Sequence, residues 1–366
     1  MVGPAILGAD APAGRELVNF GERRYAGFCG RFETAATAEV LRHDPARTRV
    51  LINDISEGPD FHRLAAAGYR LVTIYHVDVV AYVAAIYGRN LVAPERLVRW
   101  YEHLPVGGMA RLVFAKQRDS LRYSRAVVVP SQSMREVLLR CYPDTPSGKI
   151  HVLPWGAPDP CRHHAGDTKA AALRRAYAIP DDARVLLTLS RISPEKGQDL
   201  LLDALLEWER RADFPQHPLW LFICGDAAYM QGRRFLRRLH ALAGRLTKTR
   251  VIFPGHVTGP RKQAFFTLAD LYVFPSRHES YGLTLVEALR AGLPAVCLDH
   301  HGAREVMRPG CGLLVAADQL RPGIARVLAD DHLRARMSQA ARDYGATLRF
   351  SDAAEKLAAL LRAECQ

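Results

Sequence analysis

Val273-Phe-Pro-Ser-Arg-His-Glu-Ser-Tyr-Gly-Leu-Thr-Leu-Val-Glu-Ala-Leu-Arg-Ala-Gly-Leu-Pro-Ala-Val296 sets two carboxylates, Glu279 and Glu287, around a helix start opened by glycine. Residues 271–274 form an apolar run of strand type, Pro275 to Tyr281 is polar and turn-like, and Leu283, Val286, Leu289 and Ala291 have helical spacing. A strand therefore leads through a loop into a helix that begins near Gly282. The first amides of such a helix have no intrahelical partner and sit at the positive end of its dipole, so Gly282, Leu283 and Thr284 offer a cradle for phosphate. Gly282 removes the side chain that would block close approach. Glu279 precedes the cradle and Glu287 lies inside the helix, separated by roughly 12 Å along the chain's path at helical rise. Carboxylates accept from paired hydroxyls. The pattern suits a diphosphate with a sugar at one end and a ribose at the other, better than two solvated acids on an ordinary strand-loop-helix.

The context Phe-Pro-Ser-x-x-Glu-Ser-Tyr-Gly-Leu-Thr-Leu-Val-Glu-Ala resembles the Glu-x7-Glu motif of retaining GT-B glycosyltransferases of family 4 type (glycosyl transferases group 1). The resemblance implies that Glu279 holds the donor sugar, Glu287 the ribose, and Gly282 to Thr284 the phosphates, with Ser280 among the donor contacts. A second motif stands where that family has Gly-Arg-x-x-x-x-Lys-Gly: the apolar run 185–189, then Ser190-Arg-Ile-Ser-Pro-Glu-Lys-Gly197 and a helix from Asp199 to Trp208. By resemblance Arg191 and Lys196 clamp the donor diphosphate. The chemistry needs such a clamp, because the departing nucleoside diphosphate gains negative charge in the transition state. The chain has no convincing Asp-x-Asp, so no metal and no cofactor are expected beyond the nucleotide-sugar substrate. Ser190 in place of the family's glycine crowds the phosphate approach slightly. Gly255, His256 and Val257 resemble the loop whose backbone contacts the base. His300-His-Gly-Ala-Arg-Glu305 occupies the place of a glycine-rich turn, with His301 replacing a glycine.

Adjacent histidines such as His300 and His301, or His163 and His164, point in different directions and lack a completing acid or cysteine, so solvated loop histidines are expected and no metal site. The 366 residues, 49% hydrophobic, suffice for two cored domains. Seven cysteines without paired spacing point to reduced thiols and a cytoplasmic setting. No secretory signal is read at the N-terminus, and the most apolar long stretch, Leu71 to Tyr87, holds His76 and Asp78 and is too polar to span a bilayer. The net charge is +12, and Arg111, Lys116, Arg118, Arg122 and Arg125 crowd one segment. This is a solvated helix face or a contact for the inner face of a membrane, and no nucleic-acid partner is expected.

Strand-like runs at 185–189, 219–224, 251–253, 271–274, 295–298 and 312–315 alternate with helical segments, the pattern of a doubly wound parallel sheet with ligands at the strand carboxyl ends. The first half alternates too, with strands near 49–52, 71–76, 126–131 and 150–154 and helices at 94–103 and 133–140, the latter opened by a Ser133…Glu136 capping box. Thr73-Ile-Tyr-His76 resembles the family's Thr-x-x-His, which implies His76 beside the transferred sugar; a packed histidine at a strand end is the competing reading. Pro154-Trp-Gly-Ala157 resembles the entry to an interdomain linker, expected to run to Asp167. Before residue 49 only Glu16 to Phe20, a loop Gly21 to Gly30 and a helix Phe32 to Arg42 are read, so the expectation is that either the first domain is a reduced version or the chain begins inside the ancestral domain. Gly27 and Gly30 stand in for the family's glycine-rich loop toward the acceptor. Phe350 to Arg362 reads as an amphipathic helix capped by Ser351 or Asp352.

The expected fold is α/β GT-B: an acceptor domain 1–165, a nucleotide-sugar domain 166–345, and a helix 346–366 crossing back to the first. The expected function is metal-independent transfer of a hexose-type sugar to a saccharide, lipid-linked or small-molecule acceptor. A sugar-nucleotide epimerase or phosphorylase on the same scaffold, and an inactive basic binder of nucleic acid or membrane, stay open.

Overall fold

The computed structural model describes residues 1–12, 20–53, 55–86, 92–103, 108–158 and 163–363. The chain divides into two compact units, one comprising Met1–Pro154 together with residues from Ala353 onward, the other Trp155–Asp352.

The first unit carries strands β1 (Arg49–Ile52), β2 (Arg70–Ile74), β3 (Ala126–Val129) and β4 (Ile150–Val152), parallel and in sequential order. Helix Pro94–His103 forms as its spacing predicts. Helix Gln132–Cys141 starts earlier than expected, because Ser131 rather than Ser133 is its cap and accepts the Met134 N–H at 3.2 Å. The largest difference lies in the segment read as a loop. Residues Glu22–Val40 form one helix capped at Gly21, and Gly27 and Gly30 lie inside it. Each glycine costs a helix about 1 kcal/mol, but Phe28, Cys29, Phe32 and Ala36 recur at helical spacing and are buried together. Their burial outweighs two glycines, since one buried phenylalanine contributes about 2 kcal/mol. The glycine-rich loop offered to an acceptor is therefore absent, and Gly27 and Gly30 lose that basis. Residues 16–19, Asp54 and Pro160 lie outside the described residues.

The basic cluster also changes. Lys116, on helix Gly108–Tyr123, is buried, donating to the Gly58 and Pro59 carbonyls and pairing with Glu33 at 2.5 Å. Arg118, Arg122 and Arg125 are exposed; the Arg111 side chain lies outside the described residues. No described helix is long and apolar enough to cross a membrane. The five described cysteines are free and buried.

In the second unit, β5 (Arg184–Leu189), β6 (Leu219–Cys224), β7 (Thr249–Gly255), β8 (Leu271–Phe274), β9 (Ala295–Leu298) and β10 (Gly312–Val315) make a parallel sheet ordered β10-β9-β8-β5-β6-β7. Val185, Leu187, Leu189, Phe222, Tyr272 and Phe274 enter one core layer, while Leu186, Leu221, Ile223, Leu271 and Val273 enter the other. Burial on both faces is why the inner strands β5, β6, β8 and β9 read as unbroken apolar runs. The chain runs outward from β5 through β6 and β7, then returns to place β8 on the other side of β5. Order reverses between β5 and β8, and the loops leaving those strands stand at their carboxyl ends, where open α/β sheets form a crevice for ligands.

Helix His163–Ala176 shortens the linker expected to reach Asp167. Its Ala-rich, Arg-containing sequence has high helix propensity. The last helix is Phe350–Ala363, one residue ahead of the expected caps; Ser351 and Asp352 lie in its first turn, where Asp352 accepts from Arg349.

Candidate functional site

The two motif loops are the two loops of that crevice. After β8, residues 275–282 lead to helix Leu283–Arg290, capped by Gly282 at φ 98°. A β-carbon on Gly282 would lie 3.1 Å from Phe274 Cζ. After β5, a 3-10 turn Pro194–Lys196 ends at Gly197, φ 64°, which opens helix Gln198–Trp208. Here the loops interlock: a β-carbon on Gly197 would stand 1.9 Å from the Pro275 carbonyl oxygen. Arg277 continues the contact, its N–H donating to Glu195 O at 2.8 Å and its guanidinium forking onto Asp199 at 2.8 and 3.0 Å.

That closeness delivers Lys196 to Glu279. The ammonium lies 2.6 Å from Glu279 Oε1, and Ser276 Oγ donates to the same oxygen at 3.1 Å. Burial alone would raise the carboxyl's pKa, but Lys196, aided by His300 and Arg191, holds it below the usual carboxylate range. Lys196 thus pairs with Glu279, and Arg191 stands close enough to act on the same carboxylate. The Ser190 hydroxyl is engaged within its own loop, donating to Arg191 O at 3.0 Å and accepting from Gln198 Nε2 at 2.9 Å.

Glu287 has a partner that sequence reasoning missed. Lys262, on helix Gly259–Leu268, reaches Glu287 Oε1 at 2.5 Å. A lone lysine near a helix start carries no signal of a partner on another element. Thr284 Oγ1 accepts from Tyr272 OH at 2.8 Å, which fixes the side chain beside the cradle amides. Leu283 is exposed, and Ser280 partly so.

The base-side loop is mixed. Gly255 adopts φ 74°, the His256 N–H donates to Asp226 Oδ1 at 3.1 Å, and the Val257 side chain is buried in the core. Only the backbone of Val257 remains for a ligand. His300 differs from the expected solvated histidine. It caps helix His301–Val306, accepting the Ala303 N–H on Nδ1, and burial pushes its pKa down to about 4. Burial also lowers His278, against the pull of Glu279.

In the first unit His76 follows β2, exposed rather than packed, with Nε2 3.0 Å from Asn53 Oδ1. Among the described residues no cluster of histidine, cysteine and acidic side chains has metal-binding geometry.

Residues 170–344 match the family model Glycosyl transferases group 1. The group 1 resemblance read from the motifs is thereby borne out for this region. A mannosylfructose-phosphate synthase of Agrobacterium fabrum is 30% identical over 154 residues, spanning 42% of this chain and 33% of that relative. A D-inositol 3-phosphate glycosyltransferase 2 of Catenulispora acidiphila is 34% identical over 181 residues, 49% of this chain and 41% of its own. The chain thus spans less than half the length of these curated relatives. Among solved structures, HepE of Anabaena in complex with UDP-glucose superposes with TM-score 0.69 at 19% identity, covering 89% of this chain and 82% of HepE. That likeness shows the fold, and the expected GT-B class, two Rossmann-like α/β units, holds.

Proposed function

We propose that the protein is a retaining, metal-independent glycosyltransferase that moves a hexose-type sugar from a nucleotide diphosphate sugar to a hydroxyl of a saccharide, lipid-linked or small-molecule acceptor. The observation that carries this reading is the pair of interlocked loops at the β5/β8 switch point, which joins Lys196 to Glu279 beside the glycine-opened helix. The group 1 match, the sugar-transferring and sugar-joining names of the two relatives, and the UDP-glucose bound by HepE support it.

In this reading the Glu279 carboxylate, bonded by protein through Oε1, accepts sugar hydroxyls through its remaining lone pairs. Glu287, steadied by Lys262, holds the ribose. The amides of Gly282 to Thr284 receive the phosphates, Ser280 borders the sugar, and the backbone at Gly255 to Val257 borders the base. Arg191 and Lys196 stabilise the charge that a metal stabilises elsewhere. The anomeric carbon–oxygen bond breaks with its electron pair going to the phosphate, the acceptor oxygen bonds on the same face, and its proton passes to the departing phosphate. His76 belongs to the transferred sugar's surroundings, and the first unit supplies the acceptor. A peripheral membrane contact through exposed Arg118, Arg122 and Arg125 fits a lipid-linked acceptor.

Calorimetry in EDTA with UDP-glucose, GDP-mannose, ADP-glucose and dTDP-glucose tests the reading on wild type and Glu279→Ala. One of the four is expected to bind wild type, with at least about tenfold weaker binding to the variant. Unchanged affinity of Glu279→Ala for every nucleotide sugar would sink it.

A further inference from the structure

His300 immediately precedes helix His301–Val306, and its ring serves that helix with one nitrogen only. Nδ1 accepts the Ala303 N–H at 3.3 Å. A ring nitrogen that accepts carries no proton, so in the neutral ring the proton sits on Nε2. Nε2 is buried and meets no hydrogen-bond partner among the described residues. Desolvation keeps the ring uncharged at neutral pH, with Glu279 pulling the other way and His278, Lys196 and His301 adding to the burial effect. The result is a neutral donor for which the described residues provide no acceptor, and such a group calls for an explanation.

Its surroundings supply one. The ring packs against Phe274, the last residue of β8, at a centroid distance of 5.7 Å. Two residues onward, a β-carbon on Gly302 would stand 2.6 Å from the Glu279 carbonyl oxygen. Residues 300–302 and the Glu279 loop are thus packed backbone to backbone, and His300 shares Glu279's electrostatic surroundings.

We propose that His300 Nε2–H donates to a hydroxyl of the donor's sugar, making His300 a specificity-determining contact; this rests on the glycosyltransferase reading above. A hydroxyl carries a proton to give Glu279 and lone pairs to receive from His300, so an acceptor and a neutral donor in the same electrostatic surroundings complement one hydroxylated ring. A phosphate would instead favour the charged imidazolium, which burial here disfavours.

His300→Asn keeps a good helix cap and removes the donor at Nε2. Calorimetry compares wild type and variant against the same four nucleotide sugars and the matching nucleoside diphosphates, from pH 5.5 to 8. The nucleotide sugar that wild type binds is expected to bind the variant about tenfold more weakly, while its nucleoside diphosphate changes by less than about twofold. The ratio stays flat across that pH range, because the ring is uncharged throughout. Equal affinity of both proteins for the nucleotide sugar overturns the inference and leaves the glycosyltransferase reading standing. Equal losses for sugar and diphosphate also overturn it, since they place His300 at the phosphates or in the loop scaffold. No binding of any nucleotide sugar to wild type overturns the reading and the inference together. His300→Ser, a second capping substitution, carries the same comparison should the asparagine variant fail to fold.

Discussion

Glu279 and Glu287 belong to one motif and each holds a lysine, yet the surroundings of the two pairs differ. Lys196 keeps 8% of its side-chain surface exposed, and reaches Glu279 across loops that touch backbone to backbone at Gly197 and Pro275. Lys262 keeps 23%, and comes to Glu287 from a separate helix. Glu279 also has Arg191, His278 and His300 around it. The first pair is built into the fold, and the second is an attachment to it. In the proposed transferase the glutamate that faces the sugar is held by Lys196 and Ser276, and the one that steadies the ribose by Lys262.

The largest effect expected from this contrast is at Gly197. Gly197→Val places a side chain against the Pro275 carbonyl at a positive φ, and a loss of about 3–5 kcal/mol is expected in urea unfolding. A loss below 1 kcal/mol would mean that the loops are not interlocked. Next come the two lysines. Lys196→Met leaves a buried carboxylate uncompensated and is expected to cost about 3 kcal/mol, whereas Lys262→Met, nearer to water, costs about 1 kcal/mol. Equal costs would erase the distinction between the pairs.

The remaining effect concerns acid, and is read as a slope against pH. The His300 pKa is depressed to about 4 in the folded chain, so the unfolded chain takes up a proton first as pH falls through the ordinary histidine range. Stability therefore declines as pH falls from about 6.5 toward 4, by at most about 1.4 kcal/mol per pH unit from this group. Glu279, held below its usual range, adds a further loss only beneath the ordinary glutamate pKa. Thermal unfolding of His300→Asn is expected to show a shallower decline between pH 6.5 and 4. An identical slope would place the titrating histidine elsewhere, with His278 the first alternative.

The second unit was legible because its inner strands β5, β6, β8 and β9 are buried on both faces, so each reads as an apolar run, and because each motif lies in one continuous stretch. Glu279, Gly282, Glu287, Arg191 and Lys196 were found that way. Lys262 was not, since its pairing with Glu287 crosses elements and leaves no mark of spacing. His300 was misread because adjacent histidines suggest a loop, while burial behind Phe274 and the bond from Ala303 arise only after folding. The helix over Gly27 and Gly30 was misread for a related reason: glycine signals a turn locally, and the buried face of Phe28, Cys29 and Phe32 overrules it.

The contact of Gly197 with Pro275 also bears on how this region can be rebuilt. Residues 190–199 and 275–282 fit as lock and key, so neither can be traded alone for its counterpart from a related chain without a collision or a gap at that point. A chimera intended to accept a different donor must exchange both segments as a matched set, together with residues 300–302, whose Gly302 leaves the same tight clearance to Glu279.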